Sequence, residues 1–441
     1  MRVLLISPHF PPINAPDHQR IRMALPYFRE FGWEAEVIAV RAQDVEGVYD
    51  PLLLATVPAT VPVHLVQAIS PRLTRRVGLG SLVLRSKHAI KAAGNRLLSE
   101  KPFDLVYFST TMFGTMTLGP YWRRRFGVPY MLDFQDPWLS DYYAQPGAPP
   151  PPGGRLRYGL SRFLSSRQEP LAVKDAAHIV SVSPKYPEVL RRRYPELRAE
   201  QCTVLPFGAP EKDFEAMERE GVRQELYDPQ DGRRHFVYVG RGGQDMAKSL
   251  RILFRALKAE RAANPAAFGP GALRLHFVGT SYAPKGMAKE TIAPVAREEG
   301  VADQVEEITG RIPYFQAMRL MRDADAIMVI GSDDSSYTAS KIYPCVLARR
   351  PILGVFHEES SAAAILRGVR AGEVLGFRTA DSPDDRVAEM RAILGRLAAL
   401  PRQSEPPTDW QAFAPYTARE MTRRQCEAFD KAVAFAARLQ R

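Results

Sequence analysis

The stretch HFVYVGRGGQDMAKSL at residues 235–250 decides the fold class. It opens with the pattern of a buried strand, passes through Gly240, Arg241, Gly242 and Gly243, and continues with the apolar spacing of a helix. Such a turn favours a parallel α/β sheet, and its glycines and the following helix N-terminus suit a phosphate. The spacing is neither a dinucleotide fingerprint nor a P-loop. The alternative is an ordinary βα turn that uses glycine for tightness.

Strand and helix patterns alternate on both sides of this stretch. Strands are predicted before it at 3–7, 34–40, 103–109, 128–134 and 178–183. Strands are predicted after it at 273–279, 304–310, 326–331 and 351–355. Gly and Pro cluster between residues 207 and 233, which marks a domain boundary. We therefore expect doubly wound domains at 1–208 and 209–407, a ligand in the cleft between them, and a helical tail at 408–441.

The composition is that of a globular protein. Of 441 residues, 45% are apolar and 25% charged, which excludes a disordered chain, a collagen-like fibre and a coiled coil. No apolar run is long enough to span a membrane, and the N-terminus lacks the pattern of a secretory signal. The three cysteines are far apart, with no CxxC and no histidine cluster nearby. We therefore expect no disulfide framework, no metal site and a cytoplasmic location.

The net charge of +11 predicts a polyanionic partner. No nucleic-acid-binding motif accompanies this charge, so we expect no nucleic acid among the partners. The stretch 72–101 carries eight basic residues against one acid, with apolar residues between them. It predicts either a contact with an anionic membrane surface or a solvated helix whose apolar side lies in the core.

The polar loop GSDDSSYTASKIYP at 331–344 is a second candidate anion site. It follows a predicted strand and precedes an apolar stretch, so a helix N-terminus would face it. Its hydroxyls belong to Ser335, Ser336, Thr338 and Ser340, and Lys341 follows them. The alternative is a capped loop without a ligand.

Two loops in the first half carry groups suited to a sugar. LDFQDPW at 132–138 places Asp133 and Asp136 beside Trp138, where carboxylates bind hydroxyls and the ring packs on a sugar face. The alternative is an Asx turn beside a core tryptophan. The loop at 8–20 supplies candidate acceptor-binding residues: His9, Asp17, His18 and Arg20. For His9 and His18, the alternative to acceptor binding is a structural role.

Together these pieces resemble the family 4 glycosyltransferases of the GT-B fold, over essentially the whole chain. ISPHFPP, YMLDFQDPW, AAHIVSVSPKYPEVL and VLPFGAP occur in the family order, followed by YVGR, FVGT, ITGRIPYFQAMRLMRDADAIMVI and SKIYPCVLARRPILGV. The resemblance implies two Rossmann-like domains facing a central cleft. The first binds the acceptor and the second the donor, and a C-terminal helix crosses back to the first domain.

The resemblance also implies residue roles. Arg241 matches the family's phosphate-binding arginine, and Lys248 its companion lysine, although it lies seven residues after the arginine where five is common. We assign catalysis to these two and Asp136, and acceptor binding to Asp133, Trp138 and the four residues of the 8–20 loop. The donor-binding candidates are Gly240, Gly242, Gly243, Arg311, Ile312, Asp333, Asp334, Ser336, Ser340 and Lys341.

The sequence departs from the family at a pair of glutamates. Ser336 and Pro344 stand where the family carries Glu, and Asp333 and Asp334 are the nearest carboxylates. Gln135 also replaces the arginine of the D-x-R-D-P-W branch. Contacts to the donor's ribose and sugar must therefore differ. The alternative to an active enzyme is an inactive GT-B-like protein that binds nucleotide or glycan.

The activity implied by the resemblance is that of a retaining, metal-independent hexosyltransferase of surface polysaccharide assembly. Its co-substrate is a UDP- or GDP-linked sugar, with no other cofactor, and its acceptor is a glycan or a lipid-linked molecule. We expect a cytoplasmic protein that attaches peripherally to the inner face of the cell membrane.

Overall fold

The computed structural model describes residues 1–71, 80–139, 155–281, 283, 287–332 and 342–439. The chain forms two compact units, of which the first comprises residues 1–208 with 418–441 and the second residues 209–417. Each unit contains a parallel β-sheet with helices packed on it.

The sheet of the first unit has seven strands in the order β3-β2-β1-β4-β5-β6-β7. They are β1 (Arg2–Ile6), β2 (Glu34–Val40), β3 (Val63–Val66), β4 (Leu105–Ser109), β5 (Tyr130–Phe134), β6 (His178–Ser181) and β7 (Cys202–Val204). Leu5 of β1 pairs with Val37 on one side and Tyr107 on the other. The chain reverses its direction of winding between β1 and β4, and open parallel sheets bind ligands at such a switch point.

Both faces of this sheet are buried, because its strands are nearly continuous apolar runs. Leu4 and Ile6 face one core cluster, and Val3 and Leu5 face the other. A short antiparallel pair joins residues 13–14 to 48–49. The helices described before residue 209 are α1 (Gln19–Ala24), α2 (Leu82–Glu100), α3 (Leu118–Phe126), α4 (Arg155–Val173) and α5 (Lys185–Arg193).

The sheet of the second unit has six strands in the order β10-β9-β8-β11-β12-β13, and its switch point lies between β8 and β11. The strands are β8 (Arg234–Val239), β9 (Leu273–Val278), β10 (Val305–Ile308), β11 (Ala326–Ile330), β12 (Ile352–His357) and β13 (Gly372–Phe377). The helices described here are α6 (Glu211–Arg219), α7 (Ala247–Ala263), α8 (Pro265–Phe268), α9 (Ala293–Glu299), α10 (Tyr314–Asp323), α11 (Ile342–Leu347), α12 (Ser361–Gly368), α13 (Val387–Ala399) and α14 (Trp410–Phe413).

The C-terminal helix α15 (Ala418–Leu439) packs on the sheet of the first unit. The Phe429 ring lies 5.1 Å from both Trp33 and Tyr107 between ring centres, and Trp33 Nε1 donates to Asp430 over 3.1 Å. The two-domain fold and this returning helix confirm the predicted fold class. The return begins at 418 rather than 408, because residues 410–416 are held in the second unit, where Tyr416 stacks on Tyr343.

Candidate functional site

The glycine-rich turn follows β8, at the switch point of the second sheet. Gly242 N donates to the carbonyl oxygen of Thr280 over 2.8 Å, and the Tyr238 hydroxyl donates to the carbonyl oxygen of Arg241 over 2.7 Å. These bonds fix the turn against β8 and against the loop after β9. The chain then makes one 3-10 turn at Gln244–Met246 and enters α7. The turn therefore lies where open parallel sheets bind ligands.

Two glycines of this turn are required by its geometry. Gly240 has a φ of 156°, which residues with a side chain rarely adopt. A Cβ on Gly242 would lie 2.5 Å from Thr291 Oγ1 and 3.1 Å from Thr280 Cβ. The Thr291 hydroxyl oxygen is itself buried and has no hydrogen-bond partner among the described residues. The turn thus packs against its neighbours more closely than a side chain would allow.

Arg241 is held in the turn by a carboxylate that the sequence analysis missed. Its guanidinium donates to both carboxylate oxygens of Asp245, over 2.6 and 3.2 Å, and both side chains are 41% exposed. A Cβ on Gly243 would lie 2.1 Å from Asp245 Oδ1, so glycine makes room for this carboxylate. The bidentate pair orients the guanidinium, and the spacing of four residues is the signal that the sequence offered.

Lys248, in the first turn of α7, reaches a different loop. Its Nζ donates to the carbonyl oxygens of Thr379 over 2.8 Å and Arg378 over 3.3 Å. It also lies 5.6 Å from the ring centre of Phe377. These groups lie at the end of the edge strand β13. Among the described residues, no hydrogen bond joins Lys248 to the glycine-rich turn.

The predicted base-contacting residues lie in the loop between β10 and α10. Arg311 is exposed and Ile312 is half-buried. The nearby Glu307 of β10, which the sequence analysis missed, joins this strand to the loop after β9 and to the start of α9. Its carboxylate accepts from the Thr280 hydroxyl over 2.7 Å and from the backbone N–H groups of Thr291, Ile292 and Ala293. It thereby fixes the surroundings of the glycine-rich turn.

The second predicted anion site lies largely outside the described residues. Its candidates there are Asp333, Asp334, Ser336, Ser340 and Lys341. Ser332 follows β11, and α11 begins at Ile342. The Ser249 hydroxyl of α7 donates to the carbonyl oxygen of Gly331 over 2.9 Å. This bond joins the chain just after β11 to α7, the helix that follows the glycine-rich turn.

An Asp–His pair lies at the switch point of the first sheet. His9 Nδ1, in the loop after β1, lies 2.9 and 3.0 Å from the carboxylate oxygens of the buried Asp17. The hydroxyls of Thr110 and Thr111, after β4, also donate to this carboxylate. Burial alone raises the pKa of Asp17. The hydrogen bonds from His9, Thr110 and Thr111 and the His9 charge together lower it by more, so the pKa of Asp17 lies below its ordinary value. The carboxylate favours the Nδ1–H tautomer, which leaves the lone pair of His9 on Nε2.

Asp136 and Trp138 lie in the loop after β5. Asp136 is exposed, but neighbouring protein atoms remove part of the water around its carboxylate. This partial desolvation, together with repulsion from the Asp17 charge, raises the pKa of Asp136. Trp138 is half-buried and stacks on Phe113, with 5.3 Å between ring centres. The loops after β1, β4 and β5 therefore bring polar groups to the same edge of the sheet, among them His9, Asp17 and Asp136.

Arg20 and Asp133, two predicted acceptor residues, are buried and bind each other. Arg20 Nε donates to Asp133 Oδ2 over 2.8 Å, and its guanidinium donates to the carbonyl oxygen of Leu205 over 2.7 Å. The same carboxylate oxygen accepts from the Ser109 hydroxyl and the Gln135 amide, over 2.7 and 2.9 Å. These contacts join α1, the ends of β4 and β5, and the chain after β7. They give both residues a structural role beneath the loops.

His18 is also buried, and its contacts are structural. Its Nε2 lies 2.8 Å from the carbonyl oxygen of Ile13, and Nδ1 has no partner among the described residues. Burial and the nearby Arg22 charge lower the pKa of His18 to about 4. The neutral ring thus braces the 8–20 loop, which is the structural alternative stated for a histidine of this loop.

Comparisons with known proteins agree with this architecture. The sequence profile of a glycosyl transferase 4-like domain matches residues 18–208. An α,α-trehalose 6-phosphate synthase from Burkholderia multivorans superposes with a TM-score of 0.55 at 15% identity, covering 100% of this chain and 98% of that chain. The chain has the GT-B fold.

Two further solved structures share this GT-B fold. The N-terminal domain of Candida albicans trehalose-6-phosphate phosphatase gives a TM-score of 0.58 at 13% identity, covering 98% of this chain and 97% of that one. HepE of Anabaena, in complex with UDP and glucose, gives 0.50 at 16% identity, covering 100% and 98%. No curated protein sequence matches this chain.

The basic stretch of this GT-B protein is described from residue 80 onwards. Four of its apolar side chains there are buried in the core, namely Leu82, Ile90, Leu97 and Leu98, whereas Leu84 is 52% exposed. Arg85 is buried as well and donates to the carbonyl oxygens of Asp44 and Ile69. Residues 80–101 therefore match the second interpretation, a helix whose apolar side lies in the core. Residues 72–79 lie outside the described residues.

The described residues contain neither a membrane-spanning helix nor a metal-binding cluster of side chains. None of the helices in these ranges combines the length and the apolar character needed to cross a membrane. In the same part of the chain, no three His, Cys, Asp or Glu side chains are placed to hold a metal ion. Metal independence stays a prediction.

Proposed function

We propose that this protein transfers a sugar from a nucleotide-diphosphate sugar to a glycan or lipid-linked acceptor. The observation that carries the proposal is the turn after β8, with its close-packed glycines, Arg241 fixed by Asp245, and the N-terminus of α7. A diphosphate is bound by cationic side chains and by the positive end of a helix dipole. The Anabaena complex with UDP and glucose, which shares the fold, supports the same ligand class.

The donor is bound by the second unit in this proposal. Departure of a nucleoside diphosphate leaves negative charge on its phosphates, which Arg241 and the N-terminus of α7 stabilise. Arg311 and Ile312 contact the base, as the family resemblance implies. Lys248 acts by positioning the loop after β13, to which it is bonded. The base is uracil or guanine.

The acceptor hydroxyl is bound and activated by the first unit. Asp136 is the proposed proton acceptor because its raised pKa brings it closer to that of an efficient base. His9, oriented by Asp17, binds the hydroxyl through Nε2. We keep retention of the anomeric configuration and metal independence as parts of the proposal. The acceptor belongs to surface polysaccharide assembly at the inner face of the cell membrane.

An inactive binding protein is the second candidate. It is favoured by Ser336 and Pro344, which stand where the resembling family carries two glutamates. Such a protein would bind a nucleotide or a glycan and turn over no donor.

A thermal-shift screen of UDP, GDP and dTDP, followed by transfer assays with the matching sugars, tests the proposal. A ligand at about 100 times its Kd adds roughly 2.7 kcal/mol to the free energy of unfolding. Stabilisation with transfer supports the enzyme, and stabilisation without transfer on any donor–acceptor pair supports the second candidate. If no nucleoside diphosphate stabilises the protein, the enzyme and the nucleotide-binding form of the second candidate both fail.

Arg241→Ala should lower turnover by about 10²–10³, roughly 3–4 kcal/mol, because it removes a preorganised cation from the leaving group. Its exposed pair with Asp245 contributes little stability, so the free energy of unfolding should change by less than about 1 kcal/mol. Arg251→Ala is the matched control. Arg251 lies further along α7 and forms a surface ion pair with Glu298 of α9. Wild-type turnover in Arg241→Ala would contradict the phosphate assignment.

A further inference from the structure

Helix α4 exposes a row of large apolar side chains. Leu160 and Leu171 are each 62% exposed, Phe163 is 53% exposed and Leu164 is 42% exposed. Spacings of three, four and seven residues place these side chains on one face of the helix. An exposed apolar face of this kind indicates a surface that binds another protein, a ligand or a membrane. We call these four residues the α4 stripe.

The opposite side of α4 is firmly packed, so the stripe is a fixed feature of the fold. Glu169 is buried and accepts from the Tyr194 hydroxyl over 2.8 Å and from Leu139 N over 3.1 Å, and it also pairs with Arg193. Ala172 and Val173 enter the core. These contacts fix the rotation of α4 and keep the stripe outward.

The charge around the stripe is positive. Residues 158–174 contain three basic residues and one acid, and that acid is the buried Glu169. Arg162 and Arg167 are exposed, and the Arg167 guanidinium lies 4.6 Å from the ring centre of Phe163. Apolar side chains interleaved with arginine are the composition of helices that lie in the interface of an anionic bilayer.

A cavity of about 510 Å³ adjoins the stripe. Its walls include Arg162, Arg193 and the hydroxyl-bearing Ser166, and Phe163 stands at its side. Guanidinium groups bind phosphate oxygens, and the exposed Arg162 brings one to this cavity. Arg193 pairs with Glu169, and the Ser166 hydroxyl donates to the carbonyl oxygen of Phe163 over 2.8 Å. A phosphate headgroup in this cavity would leave its acyl chains beside the stripe. Polar and apolar parts of one lipid therefore find complementary surfaces on α4.

We propose that the α4 stripe and this cavity bind the surface of an anionic phospholipid membrane. Leu160, Phe163, Leu164 and Leu171 enter the acyl boundary, and Arg162 and Arg167 face the headgroups. Membrane attachment thus shifts from the basic stretch 72–101 to α4, because Leu82, Ile90, Leu97 and Leu98 of that stretch are buried and only Leu84 among its described large apolar side chains is more than half exposed. Vesicle binding requires no sugar transfer, so this proposal and the proposed function fail separately.

Vesicle co-sedimentation of the full chain tests the proposal. The probes are vesicles of phosphatidylcholine alone and vesicles of equal parts phosphatidylcholine and phosphatidylglycerol. We expect strong pelleting with the anionic vesicles, weakened by salt, and little with the neutral ones. Absence of binding to the anionic vesicles, or equal binding to both kinds, would overturn it.

Two triple variants locate the binding surface. Leu160→Ser, Phe163→Ser and Leu164→Ser together should weaken anionic vesicle binding at least tenfold. The matched control replaces Leu65, Ile69 and Leu84 by Ser, three exposed apolar residues elsewhere in the first unit. The control should bind as the wild type does. Wild-type binding by the α4 variant, or equal loss in the control, would contradict the assignment to α4.

A charge variant keeps the test decisive if the triple variant unfolds. Arg162→Glu with Arg167→Glu should abolish binding to anionic vesicles while the protein still melts cooperatively. Sedimentation in the ultracentrifuge, without lipid, examines the competing occupant, a second copy of this chain. A dimer that the α4 variant dissociates, together with absence of vesicle binding, would replace the membrane by that copy.

Discussion

The turn after β8 and the loop after β1 occupy equivalent places in two parallel sheets, but they differ in what they present. The first is short and glycine-rich, and it leads directly into the long helix α7, so a ligand would meet backbone and one guanidinium. The second is long, and buried side chains such as Asp17 hold His9 in a defined orientation. The topology of the sheet sets the location of a site, and the residues of the loop determine its chemistry.

Asp136→Asn should have the largest effect on the first-unit side of this comparison. Loss of a proton acceptor typically lowers the rate by about 10²–10⁴. Because the pKa of Asp136 is raised, the acid limb of the pH profile of kcat/KM should lie above that of an ordinary aspartate. That limb should disappear in the variant. The exposed Glu196, replaced by Gln, is the control. An unchanged rate would remove Asp136 from the mechanism.

Arg20→Met should lower the free energy of unfolding by about 3–5 kcal/mol, because it leaves the Asp133 carboxylate buried without its cation. Urea unfolding measures this difference. Arg419→Met, which removes a surface pair with Glu30, should cost no more than about 1 kcal/mol. Equal stability losses in the two variants would mean that Arg20 is not the structural cation described here.

Gly242→Ala should destabilise the protein by about 1–3 kcal/mol and weaken nucleotide binding, since its Cβ would lie 2.5 Å from Thr291 Oγ1. Adding Thr291→Ala to this variant removes the clash and should restore much of both. Gly271→Ala, where nothing lies within 4 Å of the new Cβ, is the control. A neutral Gly242→Ala would show that the turn has room for a side chain.

His18→Gln should have the smallest effect on stability of these variants, and the effect should appear in how the free energy of unfolding depends on pH. The folded protein holds the pKa of His18 at about 4, below the ordinary 6.5, so the unfolded chain binds more protons between these values. Stability is therefore lost as the pH falls through this window, by about 1–2 kcal/mol from pH 7 to pH 5. Urea unfolding should show a smaller loss in His18→Gln, and the wild-type loss in a variant of the exposed His88. The same loss in both would contradict the assignment to His18.

The strands at both switch points were predictable because they are continuous apolar runs followed by turn residues. Three strands of the two parallel sheets were not predicted: β3, β7 and β13. Cys202–Val204 spans only three residues, and Gly372–Phe377 includes two glycines and a glutamate in an edge strand. Short edge strands carry little apolar signal, since one side of them lacks a partner strand.

The site was predictable as loops and only in part as contacts. The sequence placed His9, Asp17 and Arg241 in the correct loops. It did not show that Arg20 is buried, because burial depends on strands more than 100 residues away along the chain. Nor did it show that Lys248 is bonded to the loop after β13, because that contact depends on the length of a side chain and the position of an edge strand.

The return of α15 to the first unit has a practical consequence for dissecting this protein. A fragment that ended at residue 208 would leave Phe28, Trp33 and Tyr107 without the Phe429 ring that covers them. Aromatic surface that is exposed to solvent in this way promotes aggregation. An isolated N-terminal half should therefore be built as a fusion that carries residues 418–439 on a flexible tether, whereas the other half can be excised as one uninterrupted piece.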